Sequence, residues 1–151
     1  MLIYLFFLAR AVFSSWDILT SDIMWLLLDT LLGNLRIMSI ISKLMEATEA
    51  DTDVLHRLDS SGDDFSKFRE VDFTFKCDSK EKAVTVADFL GDFQYGTTNF
   101  IDEEQRYIVQ VLIDMPVTQN ILLCVSGFMT CIGELYGVEV EGWGCIAQNG
   151  T

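Results

Sequence analysis

Side chains able to do chemistry are few in this sequence. The only histidine is His56, in Val54-Leu55-His56-Arg57-Leu58. One histidine excludes a multi-histidine metal site, and a Ser-His-Asp or Cys-His centre is open only through that residue. Its helical context points instead to a solvent-facing position. The carboxylates cluster as Asp63-Asp64 and Asp102-Glu103-Glu104. Such groups can hold Mg²⁺ or perform acid–base work. However, Ser60-Ser61-Gly62-Asp63-Asp64 reads as a turn and cap, and the second cluster as a hairpin loop. No Gly-x-Ser-x-Gly, Gly-x₄-Gly-Lys-Ser/Thr or Gly-x-Gly-x-x-Gly motif occurs.

The four cysteines, Cys77, Cys124, Cys131 and Cys145, form no Cys-x-x-Cys pair. A chain of this size does not need disulfides to fold, so they read as reduced, mostly buried thiols of a cytosolic protein. Cys124 and Cys131 lie seven apart on one helical face and, without further ligands, read as core. Trp143, between Gly142 and Gly144, caps the edge of the core in the simpler reading. The alternative is an anchor for a partner, because tryptophan is favoured at interface hot spots. The expectation is a non-enzyme with no catalytic residue, no cofactor and no metal site.

Charge narrows the partners. Among 151 residues, 23 are acidic and 10 basic, for a net charge of −13. Nucleic-acid binding requires basic groups that displace counterions from phosphates, and no basic stripe is present. The field attracts a basic partner and speeds encounter with it. A hydrophobic content of 50% argues for an ordered chain.

Residues 1–37 differ from the rest, being strongly apolar with little charge. Arg10, Asp17, Asp22 and Asp29 interrupt the run too often for a membrane span. There is also no basic n-region for a signal peptide. The simplest expectation is an apolar extension upstream of the true start at Met38, with a peripheral membrane or docking segment as the alternative, followed by a helix and turn over 38–68 and a domain over 69–151. In the helix, Leu44, Ala47, Ala50, Val54, Leu55 and Leu58 recur at helical spacing.

The later elements have clear periods. Glu70–Cys77 alternates strictly, with Val71, Phe73, Phe75 and Cys77 on one side and Asp72 on the polar side. Asp78, with Glu81 three residues on, resembles a capping box opening a helix whose stripe is Ala83, Val86, Ala87 and Leu90. Gln94–Ile101 reads as a strand bent at Gly96. Tyr107–Ile113 reads as a central strand ended by Pro116. Thr118 caps a helix with Ile121, Val125, Phe128, Ile132 and Leu135 on its buried face, and Gly137 closes it. Val138–Glu141 is the last strand. This order predicts an α+β, ferredoxin-like split βαβ sandwich preceded by a helical segment.

Three segments together carry a resemblance. They are Leu58-Asp59-Ser60-Ser61-Gly62-Asp63-Asp64, Arg69-Glu70-Val71-Asp72-Phe73 and Tyr136-Gly137-Val138-Glu139-Val140-Glu141-Gly142-Trp143-Gly144. In this order they are similar to the regulator of ribonuclease E activity B (RraB-like) family. The resemblance implies a cytoplasmic bacterial regulator of ferredoxin-like fold that binds an endoribonuclease of RNA decay and lowers its activity without catalysis of its own. The residues that carry it, and stand as partner-binding candidates, are Gly62, Asp63, Asp64, Arg69, Asp72 and Trp143, although Arg69 paired with a nearby aspartate would be purely structural. The rival expectation is a small-molecule-binding or dimerisation domain. For the start at Met38, intact-mass measurement of the native protein is expected to return the mass of residues 38–151; a mass that includes 1–37 contradicts it.

Overall fold

The computed structural model describes the backbone of residues 2–103 and 106–148, and side chains from Leu27 onward except Asp29, Leu35, Arg36 and Glu103. The side chains of Arg10, Asp17, Asp22 and Asp29, together with Glu104 and Asn149-Gly150-Thr151, lie outside the described residues. The protein is α+β, with elements α1 (Leu2–Ser60), β1 (Arg69–Cys77), α2 (Lys80–Asp92), β2 (Thr97–Glu103), β3 (Arg106–Met115), α3 (Gln119–Tyr136) and β4 (Glu139–Cys145). It divides into two compact units, Met1–Ser39 and Ile40–Thr151. In the first unit Leu27, Leu28, Leu31, Leu32, Ile37 and Met38 are exposed. Among the described residues no helix is long and apolar enough to cross a membrane.

The second unit is built on a four-stranded antiparallel sheet in the order β2-β3-β1-β4. The alternation in β1 has its expected result: Val71, Phe73, Phe75 and Cys77 are buried, while the residues between them are exposed or half-buried. β3 pairs with β1 so that Val111 lies beside Phe73 and Val109 beside Phe75. These side chains form one core with Ala83, Val86 and Leu90 of α2, Leu122, Met129 and Ile132 of α3, and Leu55 of α1. A large side chain fully buried in this way contributes about 1.5–3 kcal/mol.

Several boundaries and faces depart from the sequence reading. Ser79, not Asp78, caps α2 by accepting from the Lys82 amide at 3.3 Å. Asp78 instead accepts from the Lys82 ammonium at 2.8 Å. The buried face of α3 is displaced by about one residue: Leu122, Ser126, Met129, Thr130, Ile132 and Gly133 are buried, whereas Ile121 is 36% and Leu135 65% exposed. The helix is apolar on most sides, so period alone does not choose its face. Close approach chooses it, because Gly133 faces Val140 and the Val138 carbonyl with no room for a side chain. Thr118 stands at the start of α3 without a side-chain capping bond, and Gly137 closes the helix in the left-handed conformation. Ala50, expected in the α1 stripe, is exposed, and Cys124, expected in the core, is also exposed. Asp102 and Glu103 belong to β2 rather than to a loop.

β2 begins at Thr97 rather than Gln94. Gln94 has φ of 58° as the chain turns out of α2, and Gly96 then passes close against β3. A Cβ at Gly96 would lie 2.8 Å from both the Leu112 carbonyl oxygen and a Val111 methyl. Gly96→Ala is therefore expected to lower unfolding free energy by about 1–3 kcal/mol in denaturant titration, as overpacking does. Unchanged stability would contradict this close approach.

Candidate functional site

The candidate residues separate into three places. Gly62, Asp63, Asp64 and Arg69 form a clasp at the start of β1. The turn after α1 passes through Gly62, at φ 80°, and brings Asp63 beneath Arg69. Arg69 Nη1 donates to Asp63 Oδ2 at 2.7 Å, and Nη2 donates to the Asp64 carbonyl at 2.6 Å. The Gln148 amide donates to the same Asp63 oxygen at 2.8 Å, and the Asp64 amide donates to the Gln148 carbonyl. Asp64 Oδ1 accepts from the Ser66 amide and hydroxyl. The Arg69 and Asp63 side chains are 2% and 0% exposed. The clasp thus ties α1, β1 and the segment after β4 together, and it presents neither charge to a partner.

Its electrostatics match that role. The hydrogen bond from Arg69 holds the Asp63 carboxyl below the usual carboxylate range, and Asp63 in turn raises the Arg69 guanidinium. Burial pushes the Cys145 thiol up, partly opposed by Arg69, and burial likewise raises Cys77. Raised thiols are poor nucleophiles. Among the described residues no group of three or more His, Cys, Asp or Glu is arranged to hold a metal ion, and His56 is exposed.

Asp72 lies on the opposite side of the sheet from the core. It pairs with Gly144, and a Cβ there would sit 3.0 Å from its carboxylate. Asp72 and Arg69 line a shallow cavity of about 460 Å³ with Glu70 and Gln148.

Trp143 faces the other way, and a bulge is the cause. Val140 pairs with Phe75, but Gly142 pairs with Thr74 and Trp143 with Phe73. The extra residue, Glu141, shifts the alternation by one, so that Trp143 rather than Gly142 points inward. Gly142 meets the required backbone with φ of 125°. Trp143 packs against the core, and its indole Nε1 donates to Asp51 Oδ1 of α1 at 2.8 Å. Asp51 is only 7% exposed, and its Oδ2 has no hydrogen-bond partner. A buried acceptor left unpaired costs about 1–3 kcal/mol. Sequence reasoning missed Asp51. The available signal was its position four residues after Ala47 and four before Leu55, a carboxylate within an apolar stripe.

Beside this pair a groove of about 820 Å³ runs between α1, α3 and β4. Glu46, Asp51, Glu134, Glu139 and Glu141 line it, with Lys43 the one cation, and Lys43 donates to Glu134. Glu139 is paired with Lys76 at 3.3 Å.

A family model described as regulator of ribonuclease activity B matches residues 48–145, nearly two-thirds of the chain. The chain belongs to this family. The RraB match takes in the clasp, the whole sheet and both members of the Trp143–Asp51 pair. A search of curated proteins returned no significant match.

The clasp makes a prediction about acid. Because the folded-state value of Asp63 lies below its ordinary one, its contribution to stability is present above about pH 4 and fades as pH falls through the folded value. Asp63→Asn is expected to cost about 3–5 kcal/mol at pH 7, since it strands a buried guanidinium. The gap between wild type and variant should narrow below about pH 4. Adding Arg69→Met should restore part of the loss. Equal stability of Asp63→Asn and wild type at pH 7 contradicts the assignment.

Proposed function

We propose that this chain is a non-catalytic cytoplasmic regulator that binds an endoribonuclease of the RNA-decay machinery and inhibits it. Membership of the regulator of ribonuclease activity B family carries this reading. The net charge of −13 supports a protein partner with basic regions, and it opposes direct contact with RNA. The elevated thiols and the structural use of Asp63 and Arg69 favour binding over catalysis. The strand order β2-β3-β1-β4, with α2 and α3 as the intervening helices, supports a ferredoxin-like split βαβ domain over 69–151. Residues 38–68 precede it as helix and turn, and residues 1–37 as an extension. Within the family-motif set, we assign Gly62, Asp63, Asp64 and Arg69 to fixing the arrangement of α1, β1 and the segment after β4, and Trp143 to shaping the surface near a partner.

The test is direct. Purified chain is added to the endoribonuclease of the same host with a fluorescent RNA substrate at two salt concentrations. Cleavage is expected to slow with added chain, less so at high salt, with no cleavage by the chain alone. Unaltered cleavage at low salt, with no complex on sizing, overturns the proposal.

A further inference from the structure

We propose that the acidic groove between α1, α3 and β4 receives an arginine side chain on a basic segment of the protein partner; this rests on the protein-binding reading above and specifies where and how binding occurs. Acidity alone would not make a site. The additional observation is Asp51, buried to 7% exposure, lining the groove, with one oxygen held by the Trp143 indole and the other without a donor. A buried carboxylate oxygen is stable when a donor completes it, and a charged donor does so best. Among the described residues none reaches it: Lys43 is engaged by Glu134, Lys76 by Glu139, and Lys82 by Asp78 and the Gly137 carbonyl.

The surroundings fit a cation with several donors. Of the five acidic side chains that line the groove, Glu134 is paired with Lys43 and Glu139 with Lys76, which leaves three without a cation among the described residues. Among the described residues Glu46 and Glu141 have no basic partner, Glu46 accepting only from the Ser42 hydroxyl. Asp51 Oδ2 lies just beneath the groove surface, closed to solvent in the free chain, and the wall beside it is made of the short side chains of Ala47 and Ala50, which a guanidinium displaces more easily than longer ones. A planar guanidinium can bridge Asp51 and a glutamate at the rim with parallel N–H bonds, which a lysine ammonium does less well. The dipole of the fixed indole N–H holds the carboxylate in place before the partner arrives, so little ordering remains to be done on binding.

The experiment uses the full chain and a fluorescein-labelled arginine–glycine repeat peptide, followed by anisotropy at low salt. Wild type is expected to bind it, and a lysine–glycine repeat of equal charge several-fold more weakly. Asp51→Asn keeps an oxygen for the Trp143 indole but removes the charge, and it should weaken arginine-peptide binding about tenfold, or about 1.4 kcal/mol. A surface variant carrying E46Q, E134Q, E139Q and E141Q should lose binding by more than that. A matched variant carrying E81Q, D88N, D92N and D114N, all exposed and away from the groove, should stay within about threefold of wild type. Circular dichroism checks that each variant is folded. Equal weakening by both four-charge variants, equal binding of the two peptides, or no binding by wild type each overturns the inference. Undiminished ribonuclease inhibition by the groove variants removes the groove as docking site and leaves the regulatory reading standing. Peptide binding in the groove without any effect on the ribonuclease does the reverse.

Discussion

One hydrogen bond links the two parts of the protein on which a binding surface depends. The Trp143 indole of β4 reaches the Asp51 carboxylate of α1, 92 residues away in sequence. Its existence requires the bulge at Glu141, without which the alternation of β4 would turn a glycine inward and the indole outward. It also requires a helix whose apolar stripe is interrupted by a carboxylate. Each partner is awkward alone: a buried aspartate seeks a donor, and a half-buried indole N–H seeks an acceptor. Together they fix the part of α1 that belongs to the second unit, from Ile40 onward, against the sheet edge and set one wall of the acidic groove.

The Asp63–Arg69 clasp performs the complementary task at the other end of β4. It pins the turn after α1 to the first residue of β1 and to Gln148. Helix and sheet edge are thus held at two points, by one neutral-to-charged bond and one buried ion pair. The large side chains on the inward face of β1 and β3 fill the space between. Isolated burial of an ion pair is seldom a net gain over apolar packing, so the clasp is better understood as selecting a single arrangement of three chain segments than as a source of stability.

Much of this was legible in the sequence. The alternation of β1 named its buried residues because one face meets the core and the other does not. The apolar run of β3 marked a strand flanked on both sides, and Gly137 marked the end of α3. The face of α3 was not legible, since apolar residues surround that helix and only the close contact of Gly133 with β4 distinguishes them. The family motif was also visible, but the physical use of its members was not. Arg69 was legible as a partner for some nearby aspartate but not for Asp63 in particular, while the inward turn of Trp143 follows from a bulge that has no signal beyond Gly142. Asp51 was missed because its partner is distant in sequence, and a single carboxylate in an amphipathic helix is ordinarily read as surface.

The central claim is that the acidic face formed by α1, α3 and β4 is the surface that meets the ribonuclease. Hydrogen–deuterium exchange of the full chain, free and with the endoribonuclease, tests it most directly. Protection concentrated on residues 43–51, 126–134 and 138–142 is the result this account predicts. Protection confined to α2, β2 or the outer face of the sheet around Asp72, with the groove segments unchanged, would contradict it.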